Sequence, residues 1–182
     1  MWSYEKRLQY PIKISTPNAK LASYIISQYG GPDGELSASM RYLSQRFSAA
    51  NPRVAGLLTD IGTEELAHLE MIGAIVRQLT RGLSAKELEA AGFAPYYIDH
   101  TAAVWPQAAG GVPFNACEFQ CSGDAIADLV EDMAAEQKAR KTYDNILRVV
   151  ADPEVADPIR FLREREIVHF QRFGEALRLV QE

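Results

Sequence analysis

The chain is poor in the residues that mark specialised classes. It holds two cysteines and three histidines in 182 residues. Two cysteines, Cys117 and Cys121, exclude a disulfide scaffold. No second pair exists to complete a zinc site, so both are expected as reduced thiols. No apolar run approaches the roughly 18 residues that span a bilayer. The opening stretch MWSYEKRLQY lacks an apolar core and does not read as a secretory signal, so an intracellular chain is expected. A basic excess is missing too. The net charge of −5 argues against a nucleic acid or an anionic membrane as partner. What is present is an ordinary globular balance, 47% hydrophobic and 24% charged. That suits one domain over 1–182 with a substantial core.

Residues 3–14, SYEKRLQYPIKI, alternate loosely around Pro11. They read as an extended arm, occupying 1–15 of the domain and suited to a short edge strand. Thr16-Pro17-Asn18 predicts a helix capped by Thr16 and ending at Gly30-Gly31. Pro32 predicts a restart with Asp33 in the first turn. Its apolar face would be Leu36, Met40, Leu43 and Phe47, with Tyr42 beside them, and it would stop near Ser48. Asn51-Pro52 predicts a long helix to about Thr80. Residues 82–122 are rich in Gly and Pro and read as a crossover segment. One short helix is expected there at Ser84–Ala91, where Ser84 and Glu87 form a capping box. Helical periodicity returns from Asp124 to about Val150. Pro153 and Pro158 mark a turn, and a last helix is expected from about Pro158 to Val180. The class is all-α: a ferritin-like four-helix bundle with a long crossover loop and an extended N-terminal arm.

Polar residues interrupt the apolar faces in a repeated order. Glu35 is followed thirty residues on by Glu65 and His68. Glu136 is followed thirty residues on by Glu166 and His169. A glutamate three residues before a histidine shares its helix face. Four carboxylates and two imidazoles in this order match the ligand set of dinuclear carboxylate bundles. Carboxylates neutralise two adjacent divalent ions, and one can bridge them. Imidazoles add neutral ligands and leave positions for substrate. Glu64 competes with Glu65, since it lies four residues before His68; Glu65 is preferred because it repeats the pattern of Glu166. His100, in YYIDHTAAVW, has no partner motif and is expected to be structural or on the surface.

GGPDGELSASMRYLSQR around Glu35, LLTDIGTEELAHLEMI around Glu65 and His68, AAGGVPF, and FLREREIVHFQRF around His169 resemble the manganese catalase family. The likeness is closest to its short spore-coat branch, the CotJC-type proteins, and spans nearly the whole chain. It implies two manganese ions per chain, hydrogen peroxide as substrate, and a homo-oligomer, hexameric in well-studied members. It implies that Glu35, Glu65 and His68 serve one ion, and Glu136 and His169 the other, with Glu65 bridging. Glu166 would stand outside the metals as proton acceptor and donor, and Tyr42 would stand behind the ligands. It also implies a place in the spore coat with other coat proteins as partners. One branch carries an arginine just before the second-half glutamate; here the residue is Ala135. The sequence also stops short of the C-terminal extension that larger members wrap around their neighbours. Ligand type alone suits manganese and iron equally. Two alternatives stand beside this reading: a di-iron oxidase or peroxidase with Glu166 as direct ligand, and a structural coat protein with little turnover.

Overall fold

The computed structural model describes residues 7–93 and 103–181. The order is α1 (Ala19–Ile25), α2 (Ser27–Gly30), α3 (Glu35–Gln45), α4 (Pro52–Thr80), α5 (Ala85–Ala90), α6 (Ala125–Leu147) and α7 (Pro153–Gln181). No strand occurs among the described residues, only an isolated bridge between Gln107 and Pro113. No described helix is long and apolar enough to cross a membrane. Helices α3 and α4 pack as one pair and α6 and α7 as the other. The pairs join through α4 on α7 and α3 on α6. This is the ferritin-like bundle.

Local chemistry sets the helix starts. Asn51 accepts from the Arg53 amide, with Pro52 at the first position of α4. Asp124 caps α6 through the Ile126 and Ala127 amides, and Ser84 and Glu87 close the expected capping box on α5. Four expectations are corrected. Asn18, not Thr16, caps α1, accepting from Leu21 N. Helix α3 begins at Glu35 behind Gly34, so Pro32 and Asp33 lie before it. A Cβ on Gly34 would stand 2.7 Å from the Ser27 carbonyl oxygen. The bare glycine lets α2 sit close behind Glu35. Helix α7 begins at Pro153, and Pro158 lies inside it. The Asp152 side chain accepts from Glu154 N at 2.9 Å and its carbonyl from Val155 and Ala156. These bonds start the helix before Pro158, whose missing N–H costs one early bond.

The fourth correction concerns the arm. Residues 7–15 form no strand. Gln78 instead accepts from Ile14 N at 2.7 Å and donates to Ile12 O at 3.0 Å, and Glu154 accepts from Ser15 N at 2.7 Å. Side chains take the place of a neighbouring strand, while Ile12 and Ile14 enter the core.

The core is divided. One cluster gathers Ile25, Ile72, Ile75, Leu79, Ile159 and Leu162. The other gathers Val54, Leu58, Ile61, Leu129 and Phe173. Along α4 the glutamate and histidine at 65 and 68 fall between the two stretches. Along α7 residues 166 and 169 do the same. The polar layer is therefore sealed above and below by hydrocarbon.

Candidate metal centre

Glu35, Glu65, His68, Glu136, Glu166 and His169 all lie within this layer, each at most 2% exposed. They form two groups whose ligand atoms lie within 4.8 Å of one another. The first is Glu35, Glu65, His68 and Glu166; the second is Glu65, Glu136 and His169. Glu65 belongs to both. Its Oε2 lies 2.8 Å from His68 Nδ1 and its Oε1 2.7 Å from His169 Nδ1. Glu35 Oε2 is 3.6 Å from His68 Nδ1, and Glu136 Oε2 is 3.5 Å from His169 Nδ1. The imidazoles stack with centroids 5.6 Å apart. Both present Nδ1 to the carboxylates.

Glu136 Oε2 and Glu166 Oε1 are buried without a hydrogen-bond partner, and Glu65 Oε1 and His169 Nδ1, close as they are, do not meet in hydrogen-bond geometry; His68 Nε2 makes no hydrogen bond either. Buried polar atoms left unpaired are costly. Hard carboxylate oxygens beside imidazole nitrogens form a donor set that suits manganese or iron. The residues present fit a metal pair.

Glu64 is placed where the sequence left a competition. It is no rival ligand. Its carboxylate lies on the far side of both rings, 3.1 Å from His169 Nε2 and 3.6 Å from His68 Nε2. Arg165 donates to it from Nε at 2.8 Å and Nη2 at 3.0 Å, and Gln9 of the arm at 2.8 Å. This acid thus orients the His169 ring and stands within ion-pair distance of His68, and both rings turn Nδ1 to the centre. Glu64→Ala is expected to weaken metal binding by roughly 10–100-fold, read by competition with a chelator; an unchanged affinity would contradict this role.

Tyr42 donates to Glu136. Tyr143, which helical periodicity alone places on an apolar face, donates to Glu35. The signal was available: Tyr42 is seven residues after Glu35, and Tyr143 seven after Glu136. Each tyrosine reaches the other half's glutamate. His100 lies outside the described residues. Cys117 and Cys121 are free and exposed. The expected apolar face of α3 is partly overturned: Met40 and Phe47 are exposed, at 45% and 82%. Turning Glu35 and Tyr42 inward places Met40 roughly 0.4 of a turn away, and Phe47 lies past the end of α3.

Burial, and then Glu65, push the Glu35 carboxyl up to about 8. Burial and its carboxylate neighbours, Glu136 first, raise Glu166 well above the usual range. Burial opposes charge on His169, but Glu65 outweighs it and the ring is pushed up to about 12. Burial would likewise raise Glu65, but His169 and His68 overcome it and hold Glu65 low. The metal-free layer is therefore a proton store. Binding a metal must displace protons from Glu35 and both imidazoles. Apparent metal affinity is expected to rise with pH through 8, with proton release on binding measurable by calorimetry in buffers of different ionisation enthalpy. A flat affinity between pH 6 and 9 would contradict it.

The sequence profile described as "Manganese containing catalase" matches residues 1–182. The chain belongs to the manganese catalase family. It is 54% identical to "Protein CotJC" of Bacillus subtilis over 182 residues, covering all of this chain and 96% of that protein. It is 33% identical to a "Probable manganese catalase" of Clostridium acetobutylicum, covering 81% of it. Among solved structures, KatB, a manganese catalase from Anabaena, superposes with a TM-score of 0.91 at 28% identity. That match covers all of this chain and 81% of the other. The family's bundle and the polar layer found here thus come together in one chain.

Proposed function

We propose that the chain dismutates hydrogen peroxide to water and oxygen at two manganese ions. Glu35, Glu65 and His68 would hold one, and Glu136 and His169 the other. The observation that carries this is Glu65, fully buried and shared by both groups of ligand atoms. Bound manganese would supply the electron chemistry, reducing one peroxide and oxidising the next.

The chain supplies the rest. Glu65 offers one oxygen to each group. Tyr42 and Tyr143 hold Glu136 and Glu35 in place, and Glu64 holds the His169 ring. Glu166 is buried beside the other carboxylates, and burial and their charge raise its pKa. That makes it the acid and base for substrate. The hydrocarbon above and below excludes bulk water. One observation favours a second reading. Glu166 falls in the same group as Glu35, Glu65 and His68, close enough to be a ligand itself, as in a di-iron peroxidase or oxidase.

The test is oxygen evolution from peroxide by protein loaded with manganese, alongside metal analysis. Two manganese per chain with oxygen release supports the proposal. Tight binding without oxygen favours a stabilising site in a structural coat protein. Iron occupancy, with turnover only when an electron donor is added, favours the di-iron peroxidase. By family likeness we further propose a homo-oligomer, hexameric in sedimentation velocity. Likeness to CotJC-type proteins supports a spore-coat location with other coat proteins as partners.

A further inference from the structure

The N-terminal arm follows the seam between α4 and α7, the two helices that carry the Glu-x-x-His motifs. Ser15 bonds Glu154 of α7 through its amide at 2.7 Å and its hydroxyl at 2.6 Å. Its carbonyl accepts from Arg81, just past α4, at 2.8 Å. Gln78 of α4 holds the backbone at Ile12 and Ile14. The Tyr10 ring packs on Phe161 of α7, with centroids 5.2 Å apart. Gln9 then donates from Nε2 to Glu64 Oε1 at 2.8 Å. The contacts thus pass along α7 from 154 to 161, and along α4 from 78 to 64. The arm ties the two halves of the bundle together and ends on the acid behind the imidazoles.

The bonds to Glu64 divide evenly between its two oxygens. Oε2 takes His169 Nε2 at 3.1 Å and Arg165 Nη2 at 3.0 Å. Oε1 takes Arg165 Nε and Gln9 Nε2, each at 2.8 Å. Four donors fill the lone pairs of a carboxylate. Arg165 and His169 both hold it from α7, and Gln9 is the arm's own contribution. Without Gln9, Oε1 keeps one bond, and the carboxylate is freer to turn toward water or toward His68 Nε2, 3.6 Å away. A flexible acid orients a ring only while its own torsions are frozen.

We infer that Gln9 is a positioning residue of the metal centre, and that residues 7–15 form a brace that sets how long the metal pair stays bound. The inference rests on the proposed metal pair and deepens it. Gln9 acts through Glu64, which holds the His169 ring; partners behind a ligand govern metal affinity in this way. The brace is anchored at Gln78, about 20 Å along α4 from Glu64. Loosening that distant anchor therefore reaches the centre as well.

Manganese release is the readout. Protein loaded at saturating manganese is diluted into excess chelator, and released metal is followed over time, with metal content measured at the start. Gln9→Ala is expected to release manganese about two- to tenfold faster, the worth of one hydrogen bond, while the metal-free protein melts as before. Gln9→Lys, which keeps a donor for Glu64, should recover part of that loss. Gln78→Leu should also speed release. Gln9→Ala combined with Glu64→Ala should release no faster than Glu64→Ala alone, because the brace acts through that acid. An unchanged rate in loaded Gln9→Ala or Gln78→Leu would overturn the inference, and so would Gln9→Ala and Glu64→Ala effects that multiply. If Gln78→Leu fails to fold, Gln9→Ala decides, since Gln9 is exposed. Wild-type protein that takes up no manganese would sink the proposed function and the brace together; loaded wild type beside an unmoved Gln9→Ala rate would sink the brace alone.

Discussion

Glu65→Ala is expected to strip both metal ions from the protein and reduce oxygen evolution to background. Glu65 lies 2.7–2.8 Å from each Nδ1 through separate oxygens, so its loss opens both groups at once. Removing a carboxylate that merely orients a ligand costs roughly 10–100-fold in affinity, and a shared ligand must cost more. The metal-free fold should suffer too. Glu65 is the main counterion of two buried imidazoles. Removing one member of a buried charge cluster costs about 3–5 kcal/mol, which thermal melting of the metal-free protein would register. His169→Ala should lose about one metal equivalent and the activity, while His100→Ala should change neither. Two retained ions in Glu65→Ala would refute the bridging assignment.

Glu166→Gln separates the two readings of that residue. The amide keeps the shape and removes the acid. As a proton carrier, Glu166 would leave metal content unchanged on substitution, while the rate falls by about 10²–10⁴-fold. As a ligand, it would take metal with it. Its place in the first group permits either outcome, and the metal content of the variant decides between them.

The repeat of Glu, then Glu-x-x-His, made most of this layer legible in the sequence. Its ligand types have few other uses on apolar helix faces. The two halves are offset by 101 residues throughout, from Glu35 and Glu136 to His68 and His169. Following that offset to Tyr42 would have found Tyr143. It would also have met Glu64 and Arg165, where the repeat breaks into an ion pair across the centre. Partners that act from opposite halves leave no local pattern, which is why Glu64 read as a competing ligand. Helix α7 was read too short because Pro158 is a strong local stop, while the cap that outweighs it comes from Asp152. The face of α3 was misjudged because Met40 and Phe47 are apolar, while the centre needs Glu35 and Tyr42 inward. Arg41 is invisible to periodicity: an arginine on a helix reads as surface until Phe119 is laid over it.

Anomalous diffraction at the manganese edge, on crystals of protein loaded with manganese, tests the central claim most directly. Two peaks are predicted, one among Glu35, Glu65 and His68 and one among Glu65, Glu136 and His169. A single peak, or none between these side chains, would contradict it.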